Sequence, residues 1–208
     1  MIMQLYTAKN TVAPGGDCVD NSTLRVAPIT LSILLLCSFV QLLPSVFIVD
    51  LLCFDYYAIT EEYEIWRLAT GHFVHSSFDH AFWDLVGFSA CAWYVESKRS
   101  NLVVPTLLLS VTTLSIFLIS PLTSIEKYSG ISGILYAYLM IACWIWLTDN
   151  RGFKGWIPLL IVIGKTLLEI ATASNVFANQ GWELFYPAHL LGLMTGAIIM
   201  ITSKSKAD

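Results

Sequence analysis

Six apolar stretches, at residues 26–49, 78–96, 101–120, 130–147, 156–173 and 184–202, constrain this chain more than any other feature of it. Crossing roughly 30 Å of hydrocarbon takes about 20 mostly apolar residues in helical form, because a backbone N–H or C=O finds no water there to bond. Each stretch therefore reads as a spanning helix, and together they use most of the 208 residues. The expected fold is all-α and polytopic. It has a polar segment over 1–25, a six-helix membrane domain over 26–202 and a tail over 203–208. The segment ending at Arg25 carries Pro14, Gly15, Gly16 and two acids. It lacks the basic-then-apolar layout of a cleaved signal, so the first span is expected to be retained.

Charge sets an orientation. Lys9, Arg25, Lys98, Arg99, Arg151, Lys154, Lys204 and Lys206 fall at the termini and in the second and fourth connections, which share one side if the spans alternate. Positive residues mark the cytoplasmic face. The other side carries Arg67 and Lys127, with Asp50, Asp55, Glu61, Glu62 and Glu64 in the first connection. A net charge of −4 excludes the basic patch a nucleic acid requires. Of the five cysteines, Cys37, Cys91 and Cys143 lie in spans, and Cys18 and Cys53 make no CxxC pair with any of them. They read as packing residues, and neither a metal nor an organic cofactor is expected.

Ionisable groups within spans are costly and mark functional sites by default. His75 and His80 sit at the outer end of the second span, Ser132 at the outer end of the fourth, and His189 about five residues into the sixth, on the order of 7 Å below its outer end. All four share one leaflet. A serine hydroxyl becomes nucleophilic when a neighbouring base takes its proton, and imidazole suits that task near neutral pH. Ser132 and His189 form such a pair if the fourth and sixth helices touch. Gly192 and Gly196, at i+3 and i+7 from His189, would let another backbone approach closely, and Gly130 and Gly133 would do so from the other side. Tyr136, one turn beyond Ser132, is positioned to stack on the imidazole.

An oxyanion formed at this site needs donors. The candidates are the Ser132 backbone N–H and His80. Asp84, one turn below His80, either donates as a buried protonated acid or, ionised, orients His80. A Gly-x-Ser-Gly string by itself also fits plain helix packing. A zinc site built from His72, His75, His80 and Asp84 is disfavoured, since the first two precede the span and no second ligand cluster appears. His72 reads as interfacial. Lys165 and Glu169, spaced i,i+4 in the fifth span, read as a neutralising ion pair that either fixes that helix or meets a substrate's polar segment. Trp66 and Arg67 read as a headgroup anchor.

These residues resemble the motifs of the rhomboid intramembrane proteases. Trp66-Arg67 is similar to that family's Trp-Arg in the first connection, and Phe73-Val74-His75 with His80 to its histidine pattern at the second helix. Gly130-Ile131-Ser132-Gly133 with Tyr136 resembles its nucleophile motif, and Ala188-His189 with Gly192 and Gly196 its sixth-helix block. The resemblance covers about 66 to 196. It implies a six-helix bundle with a Ser132–His189 dyad open to the outer face and His80 contributing to the oxyanion. Many rhomboids carry Asn where this chain has Asp84.

A narrower resemblance lies in the short chain, in Leu42-Leu43-Pro44 and in the run from Trp66 to His75, which are similar to rhombosortases. That likeness implies cleavage of the C-terminal GlyGly-CTERM sorting tail of exported proteins, with transfer of the new end to water or to a membrane amine. The partners would be single-pass substrates bearing a Gly-rich motif and a C-terminal helix, within the lipid bilayer. The location would be a bacterial inner membrane, both termini cytoplasmic and the site toward the periplasm. Two rivals are a catalytically silent relative that binds membrane clients, and a transporter using Lys165, Glu169 and Asp84. The absence of an inverted repeat counts against the transporter.

Overall fold

A computed structural model describes residues 27–172 and 185–204. The segment holding Lys9, Cys18 and Arg25, the approach to the sixth helix over 173–184, and Lys206 lie outside the described residues.

Helix α1 (Pro28–Gln41) opens with Pro at its first turn and has no side-chain cap of its own. Glu96 supplies one from a neighbouring helix, accepting from Ile29 N (3.0 Å), Thr30 N (2.8 Å) and Thr30 Oγ1 (2.7 Å). A carboxylate at the positive end of a helix dipole is well placed, and three bonds satisfy donors that would otherwise be orphaned. The uninterrupted span expected over 26–49 is not formed. The helix stops at Leu42, and after Pro44 the chain continues as the turns Ser45–Phe47 and Ile48–Leu52, bent by 117° from α1. Proline lacks the N–H that would continue the ladder and biases the preceding residue away from helix, which accounts for the break.

Ser77 caps α2 (Phe78–Arg99) by accepting from His80 N at 3.1 Å. Helix α3 (Val103–Leu118) follows after a tight turn at Ser100–Leu102, where Arg99 leaves the helical region with φ −147° and ψ 62°. The 41-residue helical run Phe78–Leu118 is thus two helices, not one. They run antiparallel. His80 and Leu114 both lie at the start of α4 (Ser132–Asp149), against Gly130 and Gly133, whereas Val103 O accepts from Tyr138 OH at 2.7 Å further along it. Helices α5 (Phe153–Thr172) and α6 (Tyr186–Lys204) complete the bundle. The expected all-α polytopic fold is the observed one. Among the described residues, four helical runs are long and apolar enough to cross a membrane, and a fifth if the bent pair at α1 counts as one span.

Helix α4 is the axis, packing against α2, α3, α5 and α6. Phe88, Leu114, Ile134, Tyr138 and Ile141 fill the core around it. The seam with α6 is the tightest. A Cβ on Gly192 would overlap the Gly133 carbonyl, and one on Gly196 would crowd the Ala137 carbonyl, so the expected close approach is present on both elements.

The connections that bracket the site are fastened to each other. β1 (Phe54–Asp55) pairs antiparallel with β2 (Lys127–Tyr128), Lys127 lies 3.5 Å from Asp55, and Gly130 N donates to Gly71 O at 3.1 Å. Arg67 corrects an expectation here. Its guanidinium is buried and donates to the Cys53 carbonyl (2.9 Å) and the Asp50 carbonyl while pairing with Glu64, so it clasps the first connection instead of reaching headgroups. Trp66 is half exposed, but its indole N–H donates to Leu51 O at 2.9 Å and serves the same clasp. His72 is likewise buried, not interfacial, with Nε2 3.1 Å from Ser115 Oγ.

Candidate active site

Gly130 has φ +124°, a conformation side chains rarely adopt, and a Cβ there would meet the His80 ring at 2.9 Å. Glycine at this position lets the chain turn sharply into α4 with an imidazole against its backbone. Tyr128 OH holds the turn by donating to Gly130 O at 3.1 Å. Ser132 is then the first residue of α4, so its N–H belongs to the helix's unpaired first turn, where the dipole favours negative charge.

His189 lies in the first turn of α6 and is 2 % exposed. Its ring stacks on Tyr136, with centroids 4.1 Å apart and planes within 6°. The stacking expected from the spacing of Ser132 and Tyr136 is therefore present. Ser132 and His189 line one cavity of about 290 Å³, together with Trp83, Asp84 and Gly87 of α2, Leu135, Tyr136 and Leu139 of α4, and Lys165 of α5. Its walls come from four helices, with α2 and α5 each packed on α4.

His80 and Asp84 lie against Gly130, beside the turn that leads into Ser132. Asp84 Oδ2 lies 3.1 Å from His80 Nε2 and 3.4 Å from His75 Nε2. His80 Nε2 is buried beside Gly130 and faces Asp84 Oδ2, with no other polar group among the described residues aligned on it. Asp84 thus has two imidazoles, those of His80 and His75, within reach. His75 Nε2 also lies 3.5 Å from Ile131 N and ties this cluster to the turn that precedes Ser132.

Lys165 and Glu169 pair as their spacing predicts, and the pair also reaches Tyr136 and His189. Glu169 is completely buried, and its Oε2 accepts from Tyr136 OH at 3.0 Å and lies 3.0 Å from His189 Nδ1. Lys165 Nζ donates to Glu169 Oε1 and, at 2.6 Å, to Tyr136 OH. The i,i+4 spacing marks one face of α5. Which neighbour that face meets depends on the rotation of α5 against α6, and periodicity does not encode it.

Among the described residues no group of three or more His, Cys, Asp or Glu side chains is arranged to hold a metal ion. Residues 62–205 match the family model described as the Rhomboid domain. No curated protein matches the chain.

Proposed function

Because the chain belongs to the rhomboid family, we propose that it is an intramembrane serine endopeptidase with Ser132 as nucleophile and His189 as general base. The observation that carries this reading is the single cavity lined by both side chains, with the His189 ring fixed on Tyr136. A substrate helix enters laterally between α2 and α5 and unwinds so that its scissile carbonyl meets Ser132. Ser132 Oγ bonds to the carbonyl carbon while His189 takes the hydroxyl proton. That proton then passes to the leaving amine as the C–N bond breaks. The Ser132 N–H and the His80 imidazole stabilise the oxyanion, with Asp84 orienting His80. Water or an amine resolves the acyl-enzyme.

The run from Trp66 to His75 supports a narrower reading as a rhombosortase-like enzyme. Its substrates would be exported proteins ending in a Gly-rich motif, one apolar helix and a basic tip, cleaved at the periplasmic side of a bacterial inner membrane with both enzyme termini cytoplasmic. Mass spectrometry of such a client's mature C-terminus separates hydrolysis from transfer to an amine.

An active-site fluorophosphonate tests the dyad. Wild type is expected to be labelled, and Ser132→Ala and His189→Ala are not. Equal labelling of all three would overturn the assignment and favour a catalytically silent client-binding relative.

A further inference from the structure

The His189 ring has two nitrogens, and only one can face Ser132. Nδ1 is taken up by Glu169 Oε2 at 3.0 Å, which leaves Nε2 for the serine. Glu169 has no exposed surface, and a lone carboxylate at that depth would be very costly. Each of its oxygens is accounted for: Oε1 accepts from Lys165, and Oε2 accepts from Tyr136 while facing His189 Nδ1. Lys165 balances the charge, and its ammonium also lies 5.2 Å from the Tyr136 ring centroid. Three helices thus converge on one carboxylate: α4 through Tyr136, α5 through Lys165 and Glu169 itself, and α6 through His189.

We propose that Glu169 is a positioning residue that fixes the His189 tautomer, making a Ser132–His189–Glu169 triad whose acid is held by Lys165 and Tyr136. A carboxylate offers only acceptors, so Nδ1 must carry the proton and Nε2 must present its lone pair to the Ser132 hydroxyl. When Ser132 Oγ attacks, its proton moves to Nε2. The resulting imidazolium lies against a carboxylate already in place, and the same proton then leaves with the substrate amine. Glu169 stays ionised throughout. This rests on the reading of His189 as the base, but the tautomer itself is measurable without any substrate.

The test uses the full-length protein in detergent micelles with ¹⁵N-labelled histidine, the His189 signal being assigned by its loss in His189→Phe. Nδ1-protonated His189 is expected in wild type, and the Nε2-protonated form in Glu169→Gln, whose amide can donate to Nδ1. Nε2-protonated His189 in wild type would overturn the proposal. So would a tautomer unmoved in Glu169→Gln. Kinetics supply the second arm. Glu169→Gln is expected to lower kcat by about 10³- to 10⁴-fold with KM little changed, as for other triads given the wrong tautomer, and Glu169→Asp to recover part of that loss. The charge-neutral double variant Lys165→Met, Glu169→Leu keeps the pocket apolar and tests for a merely structural pair. Wild-type kcat in that variant would overturn the proposal. A wild-type enzyme with the expected tautomer but no fluorophosphonate labelling would instead overturn the protease reading and leave the tautomer assignment standing.

Discussion

His72 is buried between Ser115 and Tyr128, and burial pushes its imidazole from the ordinary 6.5 down to about 4. His75 moves in the same direction, again mainly through burial, with Asp84 opposing part of the shift. The folded state consequently binds fewer protons than the unfolded chain between those two values. Stability is complete above about pH 6.5 and falls as pH drops toward 4, His72 alone accounting for up to about 3 kcal/mol. Thermal unfolding in detergent across pH 4 to 7 should show this decline, and His72→Gln, which keeps a partner for Ser115 but does not titrate, should flatten it. Tyr136 offers a second test at this scale. Tyr136→Phe keeps the stack on His189 and loses the hydroxyl's two bonds, to Glu169 and from Lys165, so cleavage should fall by about tenfold or more, whereas Tyr136→Leu, which loses the stack as well, should fall further. Tyr136 was legible in the sequence because it lies one turn from Ser132 on a helix whose start is marked by Gly130. The contact of Glu169 with His189 was not, because it joins two helices whose mutual rotation is set by packing. Arg67 was misread for a related reason: a guanidinium looks the same in sequence whether it meets headgroups or backbone carbonyls.

Between elements, small residues decide how closely helices approach. Gly192→Val should push α6 away from α4, since even a Cβ there overlaps the Gly133 carbonyl. A loss of about 1–3 kcal/mol or more is expected from such overpacking, read as a lower unfolding temperature. Gly164, midway along α5, has nothing within 4 Å of the same position. Gly164→Ala should therefore be neutral or stabilising, by up to about 1 kcal/mol from helix propensity. Glu96→Ala should loosen α1 by leaving three donors without acceptors. Helices α2, α4 and α6 were legible from hydropathy to within a few residues, because a span has to be long and apolar whatever surrounds it. Hydropathy is blind to the break after α1, since Pro44 interrupts hydrogen bonding without interrupting the apolar run.

Across the whole molecule, the bundle brings residues 57 positions apart to one depth: Ser132 at the head of α4 and His189 in the first turn of α6, held together by the glycine seam between them. That convergence is legible in outline in the sequence, because span boundaries fix depth and the glycines indicate which helices touch. The acid behind His189, and the clasp that fastens the first connection to the turn before Ser132, emerge only once the helices are packed. The central claim is that this arrangement cleaves peptide bonds in the membrane through Ser132. Its most direct test is reconstitution of the purified protein into liposomes with a single-pass client whose C-terminal helix follows a Gly-rich motif. Wild type is predicted to release a shortened client and Ser132→Ala, equally well folded, to release none; cleavage by Ser132→Ala at the wild-type rate would contradict the account.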